Sequence, residues 1–285
     1  MEKILIPTDF SGPAENAAFY AMNLAKSTNA NVILCNAIKV PANAPMAAQI
    51  AWPLVDYNTL KNEVSRELDH LSKKLRRDDV SSGLPVYPSI TCVSDAGPVT
   101  DVVKDLVAKE KVSMVVMGMS GTGALNRFFL GSSSRNLIDN ASFPVLLIPP
   151  DAVFNGIHKI AFATDLHEQD IEVINSLAAI AFHFNAEILI AHVSGERPDD
   201  LKHQHKINAF LSDITCKINY PKIYYRHIRQ QDVNQGLDWL TAHGLIDILV
   251  MVHRHNNLIA NLFNRSHTQN VARHIDIPLL VYPGH

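Results

Sequence analysis

The chain has 285 residues, a formal net charge of -3 and 47% hydrophobic residues, enough for two domains of ordinary size with buried cores. That balance argues against a general nucleic-acid binder, which usually needs a basic face, and no run approaches the roughly 18 unbroken apolar residues of a membrane-spanning helix. Cys35, Cys92 and Cys216 are widely spaced with no C-x-x-C pair, and the amino terminus enters an apolar strand-like run without a signal-peptide pattern, so a reduced, cytoplasmic protein is expected.

Ile4–Pro7 reads as a short apolar strand. Ser11 is placed to cap the next helix, from about Ala14 to Ser27, with Pro13 tolerated in its first turn. Ala17, Ala21, Leu24 and Ala25 share one face of that helix. Val32–Ile38 is nearly unbroken apolar sequence, as in a parallel strand buried on both faces. The Pro- and Ala-rich stretch KVPANAPMAAQIAWPLVDY follows, then a helix from about Tyr57 to Leu75. Val86–Val93 reads as a third strand, Val99–Glu110 as a helix, Val112–Met117 as a fourth strand and Val145–Ile148 as a fifth, closed by Pro149-Pro150.

The chain then repeats itself. KILIPTDF at Lys3–Phe10 returns as KIAFATDL at Lys159–Leu166, and NANVILCNAI at Asn29–Ile38 returns as NAEILIAHVS at Asn185–Ser194, with the same offset. SMVVMGMS at Ser113–Ser120 is answered by DILVMVHR at Asp247–Arg254, and SRNLIDNASFPVLLIP at Ser134–Pro149 by TQNVARHIDIPLLVYP at Thr268–Pro283, with a second, shorter offset. The deficit is assigned to extra residues between about Lys39 and Leu60 of the first copy. Alternation of strand and helix gives an α/β fold with two tandem doubly wound domains, 1–150 and 151–285, each a five-stranded parallel sheet flanked by helices.

Ligands of open α/β sheets bind beyond the carboxyl ends of strands, where the winding reverses. The fourth strand opens there into GMSGTGALNRFFLGSSSRN, with Gly118, Gly121 and Gly131 spaced G-x2-G-x9-G ahead of Ser132, Ser133 and Ser134. Glycines let backbone N–H groups approach phosphate oxygens, and hydroxyls at a helix start favour an anion. Glycines that simply make a tight turn would give a similar pattern.

With the preceding VVMG strand, this loop resembles the nucleotide loop of the universal stress protein family. ILIPTDFS resembles that family's first strand and its Asp, VILCNAI its second strand, and FPVLLIP its last. The resemblance covers both copies and implies an adenine nucleotide alpha hydrolase-like fold whose sheets pair through their last strands. It also implies an ATP or AMP site, with or without magnesium. Carried over by position, Asp9 would meet the ribose or adenine end, and Ala37 would offer backbone groups to the adenine. Met117, Gly118, Gly121 and Gly131 would line the ribose and phosphate path, with Ser132, Ser133 and Ser134 on the phosphates. Asp9 could instead be a helix-cap or turn residue. Asn36 stands where many relatives carry His. Trp52 and Tyr57 could close over the ligand or cover the partner half, or the stretch around them could be a surface excursion.

In the second copy Val252, His255 and Arg265 replace the three glycines, while Ser266 and Asp165 persist, so no nucleotide site of this type is expected there. His253, His255 and His267, with His274 nearby, could bind zinc or, with Arg254 and Arg265, an anion; they could equally be solvated or core-edge side chains, since no standard ligand spacing is present. A nucleotide-binding, stress-response protein of regulatory rather than catalytic type is therefore expected. The alternatives are a slow ATPase, for which the loop has Asn126 and Arg127 but no carboxylate and no Walker lysine, or a ligand-independent interaction protein. The expected assembly is an intrachain pair of the two domains, with homodimerisation open, and neither nucleic acid nor membrane as partner.

Overall fold

The computed structural model describes residues 2–38, 57–77, 88–122, 127–129, 132–195, 201–254 and 276–284, with the side chains of 120–122 and 127–129 outside that description. The first half runs β1 (Lys3–Pro7), α1 (Gly12–Thr28), β2 (Asn31–Ile38), α2 (Tyr57–Arg77), β3 (Ile90–Ala96), α3 (Val99–Glu110) and β4 (Met114–Gly118). It continues through a hairpin of β5 (Ser120–Thr122) and β6 (Arg127–Phe129), then α4 (Ser132–Asn140) and β7 (Val145–Ile148). The second half contributes β8 (Lys159–Ala163), α5 (Asp170–Phe184), β9 (Glu187–Ser194) and α6 (Leu201–Lys217). β10 (Ile223–Arg229), α7 (Val233–His243), β11 (Ile248–His253) and β12 (Leu279–Pro283) complete it.

Apolar strands buried on both faces force helices onto both sides of the sheet. Ile4, Ile6, Val32 and Leu34 pack in one layer with Ala17, Ala21, Leu24 and Ala25 of α1 and Leu68 and Leu71 of α2. Leu5, Ile33 and Cys35 point the other way, onto Val103 and Leu106 of α3 and Leu137 of α4. Helix α1 starts as its sequence dictates: the Ser11 side chain accepts from the Ala14 N–H, Pro13 sits in the first turn, and Asn29 closes the helix in the left-handed region at φ 52°.

The ten main strands form one sheet in the order β10-β9-β8-β11-β12-β7-β4-β1-β2-β3. Each half is parallel within itself, and the halves join through antiparallel pairing of β12 with β7, Leu280 opposite Leu146. Last strands thus pair inside one chain. The linker between them is held down by the Asn16 amide, which donates to the carbonyls of Pro149 and Ala152, both at 3.1 Å. Beside it Phe154 meets Tyr20 edge-on at 5.0 Å and Phe184 at 6.1 Å, bridging α1 and α5.

The duplication is written in the backbone as well. Among the described residues, the non-glycine positions with positive φ form three matched pairs: Phe10 with Leu166, Asn29 with Asn185, and Lys111 with Leu245. Left-handed L-residues carry a penalty of roughly 1–2 kcal/mol each, so their recurrence at the repeat offsets marks one inherited chain path. In the first turn the Thr8 hydroxyl accepts from the Phe10 N–H at 3.0 Å, and Thr164 accepts from Leu166 at 2.8 Å.

Several boundaries differ from the sequence reading. β3 extends past Val93 to Ala96, while Val86 lies outside the described residues. β4 begins at Met114 rather than Val112, because Lys111 turns left-handed to close α3. The β5–β6 hairpin has no strand signal in the sequence, being short and glycine-rich. The second copy's deficit is also spread more widely than 39–60. The path from Ile38 to Tyr57 shrinks to Ser194–Leu201, the helix shortens from 21 residues in α2 to 17 in α6, and Arg77–Ile90 shrinks to Lys217–Ile223. Among the described residues no helix is long and apolar enough to cross a membrane.

Candidate functional site

Within the first half the strand order runs β7-β4-β1-β2-β3, so the winding reverses between β1 and β4. A cavity of about 280 Å³ opens at the carboxyl ends of these strands. Its floor is Pro7 at the end of β1 with Thr8 and Asp9 beyond it, Cys35 to Ala37 of β2, and Met117 and Gly118 of β4; Ser132, Ser133 and Ser134 at the start of α4 form one wall. The structure thus brings together Asp9, Ala37, Met117, Gly118 and the three serines. Gly121 lies in β5 and is absent from the described lining, and Gly131 lies outside the described residues, as does Trp52. Tyr57 opens α2 and is 41% exposed.

Each lining residue has a local reason to be where it is. Gly118 is set by packing: a Cβ there would lie 2.4 Å from the Pro13 carbonyl oxygen, 2.6 Å from its carbon and 2.9 Å from the Ala14 nitrogen. The start of α1 therefore rests directly on the end of β4, and the glycine serves this backbone approach. Asp9 is exposed and caps its own turn, its Oδ1 accepting from the Ser11 N–H at 3.1 Å and the Ser11 hydroxyl at 2.6 Å. The turn-residue role is thus realised while the carboxylate still lines the cavity. Asn36 donates from Nδ2 to the Thr8 carbonyl at 2.8 Å. Burial pushes the Cys35 thiol up to about 12, so it stays protonated rather than nucleophilic.

The same place in the second half is altered residue by residue. The cavity there shrinks to about 110 Å³. Ala37 is matched by Val193, Val103 by Leu237 and Gly118 by Val252, each adding side-chain bulk to the lining. Helix α5 also begins later than α1: Gly12 opens α1, but its match Glu168 precedes the start of α5 at Asp170. Arg254, matching Ser120, lines what remains. Its guanidinium donates to Asp165 at 2.7 Å and to Asp170 at 2.5 Å, and Asp170, fully buried, also accepts from the Thr164 hydroxyl at 2.5 Å. A fixed internal cation occupies this position, held by two carboxylates.

The histidines sort differently from their sequence grouping. His253 ends β11 and places Nε2 3.3 Å from Asp139 Oδ1 of α4, a contact between the two halves. His255 and His267 lie outside the described residues, and among the described residues no group of three or more His, Cys, Asp or Glu could hold a metal ion. Sequence reasoning missed another cluster: His192 of β9, His203 of α6 and His227 of β10, with ring centroids 5.1–5.7 Å apart. His192 donates from Nδ1 to the Thr164 carbonyl at 2.9 Å, the bond that Asn36 makes to Thr8 in the first half. An amide and an imidazole fill one role in the two copies. Burial first, then the neighbouring His203, His227 and Lys206, hold the His192 pKa below its ordinary value against the opposing pull of the Thr164 carbonyl. The signal for this cluster was present in the register, which sets His227 beside His192, but could not be read before the strands were paired.

The universal stress protein family model matches residues 1–149 and 156–283. A universal stress protein of Methanocaldococcus jannaschii is 31% identical over 147 residues, which are 52% of this chain and 81% of that protein. One from Thermus aquaticus is 27% identical over 146 residues, 51% of this chain and 96% of that protein. The crystal structure of a universal stress protein from Archaeoglobus fulgidus superposes over 99% of this chain and 98% of its own at TM-score 0.65, with 15% identity, a likeness of fold.

Proposed function

Because the chain belongs to the universal stress protein family through two matched segments, we propose that it is a stress-response protein binding ATP or AMP in residues 1–150. Residues 151–285 then form a degenerate partner. The observation that carries this reading is the contrast between two equivalent places. One is an open cavity of about 280 Å³ with a helix start and three serines on its wall; the other has about 110 Å³ and an ion-paired arginine in its lining.

The residues present fit an adenine nucleotide. The apolar end of the cavity, with Val99, Val103 and Met117, suits a base, and the Ala37 backbone lies beside it. Asp9 would accept from the ribose hydroxyls. Gly118, Gly121 and Gly131 would border the phosphate path, and Ser132, Ser133 and Ser134 would donate to phosphate oxygens at the positive end of α4. Among the described lining residues there is no Lys or Arg, so a magnesium ion carried with ATP would supply the countercharge.

Binding without turnover is favoured by the same lining. Asp9 is its one carboxylate among the described residues and is engaged by Ser11, and the Cys35 thiol is held protonated. No described group there is placed to activate a water or stabilise a leaving phosphate. Occupancy would instead reposition the start of α4, whose far end touches the second half through Asp139 and His253. Titration calorimetry with ATP, ADP and AMP, run beside a phosphate-release assay, tests the proposal. One nucleotide per chain with negligible release is expected. Two per chain, or steady multiple turnover, would reject it.

A further inference from the structure

Among the described residues the sheet ends in β10 on one side and β3 on the other, and repeat symmetry would make these edges alike. They are not. β10, with sequence IYYRHIR, borders a hollow of about 360 Å³ lined by Arg226, His227, Ile228, Arg229, Gln230 and Trp239. The pairing registers put Val93, Asp95 and Ala96 of β3 where β10 has Arg226, Ile228 and Arg229, and Asp105 of α3 matches Trp239. A charge of either sign can guard a sheet edge against edge-to-edge aggregation, and Asp95 is the one β3 offers. The β3 edge carries no Arg or Lys.

Strand alternation separates the two arginines. Ile228 packs in the α3–α7 layer, which puts Arg226 on that face; Ile223 and Tyr225 pack in the α5–α6 layer, which puts Arg229 on the other. The Arg226 guanidinium lies over the Trp239 ring at 5.5 Å, and Trp239 stacks on His243 at 5.3 Å. Both arginines are exposed, and among the described residues no carboxylate forms an ion pair with either. Among the described residues β10 pairs with β9 alone, so its outer row of backbone N–H and C=O groups meets no described strand.

We propose that the free edge of β10 docks an extended acidic polypeptide segment as an added strand. Backbone pairing supplies the path, and the two guanidiniums supply the specificity. Arg226 and Arg229 are three residues apart on opposite faces, so the residues facing them on an added strand are also three apart and on opposite faces. The partner is therefore a segment with Asp or Glu at i and i+3 in extended conformation.

The test is fluorescence anisotropy of a labelled Thr/Val peptide carrying glutamates three positions apart, titrated with the whole chain. Saturable binding that weakens with added salt is expected. Arg226→Gln with Arg229→Gln should weaken it by about tenfold or more, given two charge-assisted bonds. Peptides with glutamine at both positions, with glutamates two apart, or with alternate amides N-methylated should bind the unaltered chain at least about tenfold more weakly. These peptides keep the proposal testable even if the double variant folds poorly. No binding overturns it. So does equal binding of the two-apart or N-methylated peptide, or equal competition by inorganic phosphate or a single-stranded oligonucleotide, since each would make the hollow a simple anion site.

Discussion

Replacing Arg254 by Met should strongly destabilise the second half. Methionine keeps the side-chain volume and removes the charge. The contact with Asp165, 62% exposed at its side chain, is worth about 0–1 kcal/mol. Asp170 is different: its side chain is 1% exposed, and without Arg254 its carboxylate keeps just the Thr164 hydroxyl among its described partners. Stranding such a charge costs about 3–5 kcal/mol, so the total is near 4 kcal/mol and the melting temperature should fall by roughly 8–16 °C. Asp170→Asn added to Arg254→Met removes the stranded charge while Thr164 still finds an acceptor, and should recover most of the loss. Thermal and urea unfolding of the two single variants and the double variant form the cycle. If Arg254→Met costs under about 1 kcal/mol, or the double variant is no better than the single, the internal ion pair does not hold that site closed.

Three further outcomes follow from the same geometry. Gly118→Val should cost about 1–3 kcal/mol by pushing the α1 backbone away from β4, and calorimetry should show nucleotide affinity lost, while Asp165→Ala leaves affinity unchanged. Asn36→His should preserve affinity, since His192 makes the same bond to its own Thr164 carbonyl; a large loss would show that the amide has another role. The lowered His192 pKa means the unfolded chain binds the extra proton first as pH falls below the ordinary 6.5, so this residue's contribution is present above that value and is lost on acidification toward its folded pKa. His192→Asn, copying the first half, should flatten that part of the stability profile measured by urea titration between about pH 7 and 5.

Much of the architecture was legible because apolar strands such as VILCNAI and ILVMV announce themselves without tertiary help. The repeat added a second, independent reading of each, and Ser11 and Pro13 mark the start of α1 in sequence. What stayed hidden depended on pairing in space. Asp170 looks like an ordinary first-turn acid of α5 until Arg254 arrives from the end of β11. Val193 and Leu237 look like ordinary core residues until their matches Ala37 and Val103 are seen lining an open cavity. In sequence Gly118 reads as part of a phosphate loop, whereas the closest atoms to a side chain there belong to Pro13. The histidine cluster drew on β9, α6 and β10, so no local spacing could disclose it.

The most direct test is a crystal structure of the chain grown with AMP or with ATP and magnesium. The account predicts density for one nucleotide, its phosphates against Ser132, Ser133 and Ser134 and its base beside Ala37, with Arg254 still bound to Asp165 and Asp170. A nucleotide in the second half with Arg254 displaced, or a first-half cavity filled by neighbouring side chains at saturating ligand, would contradict it.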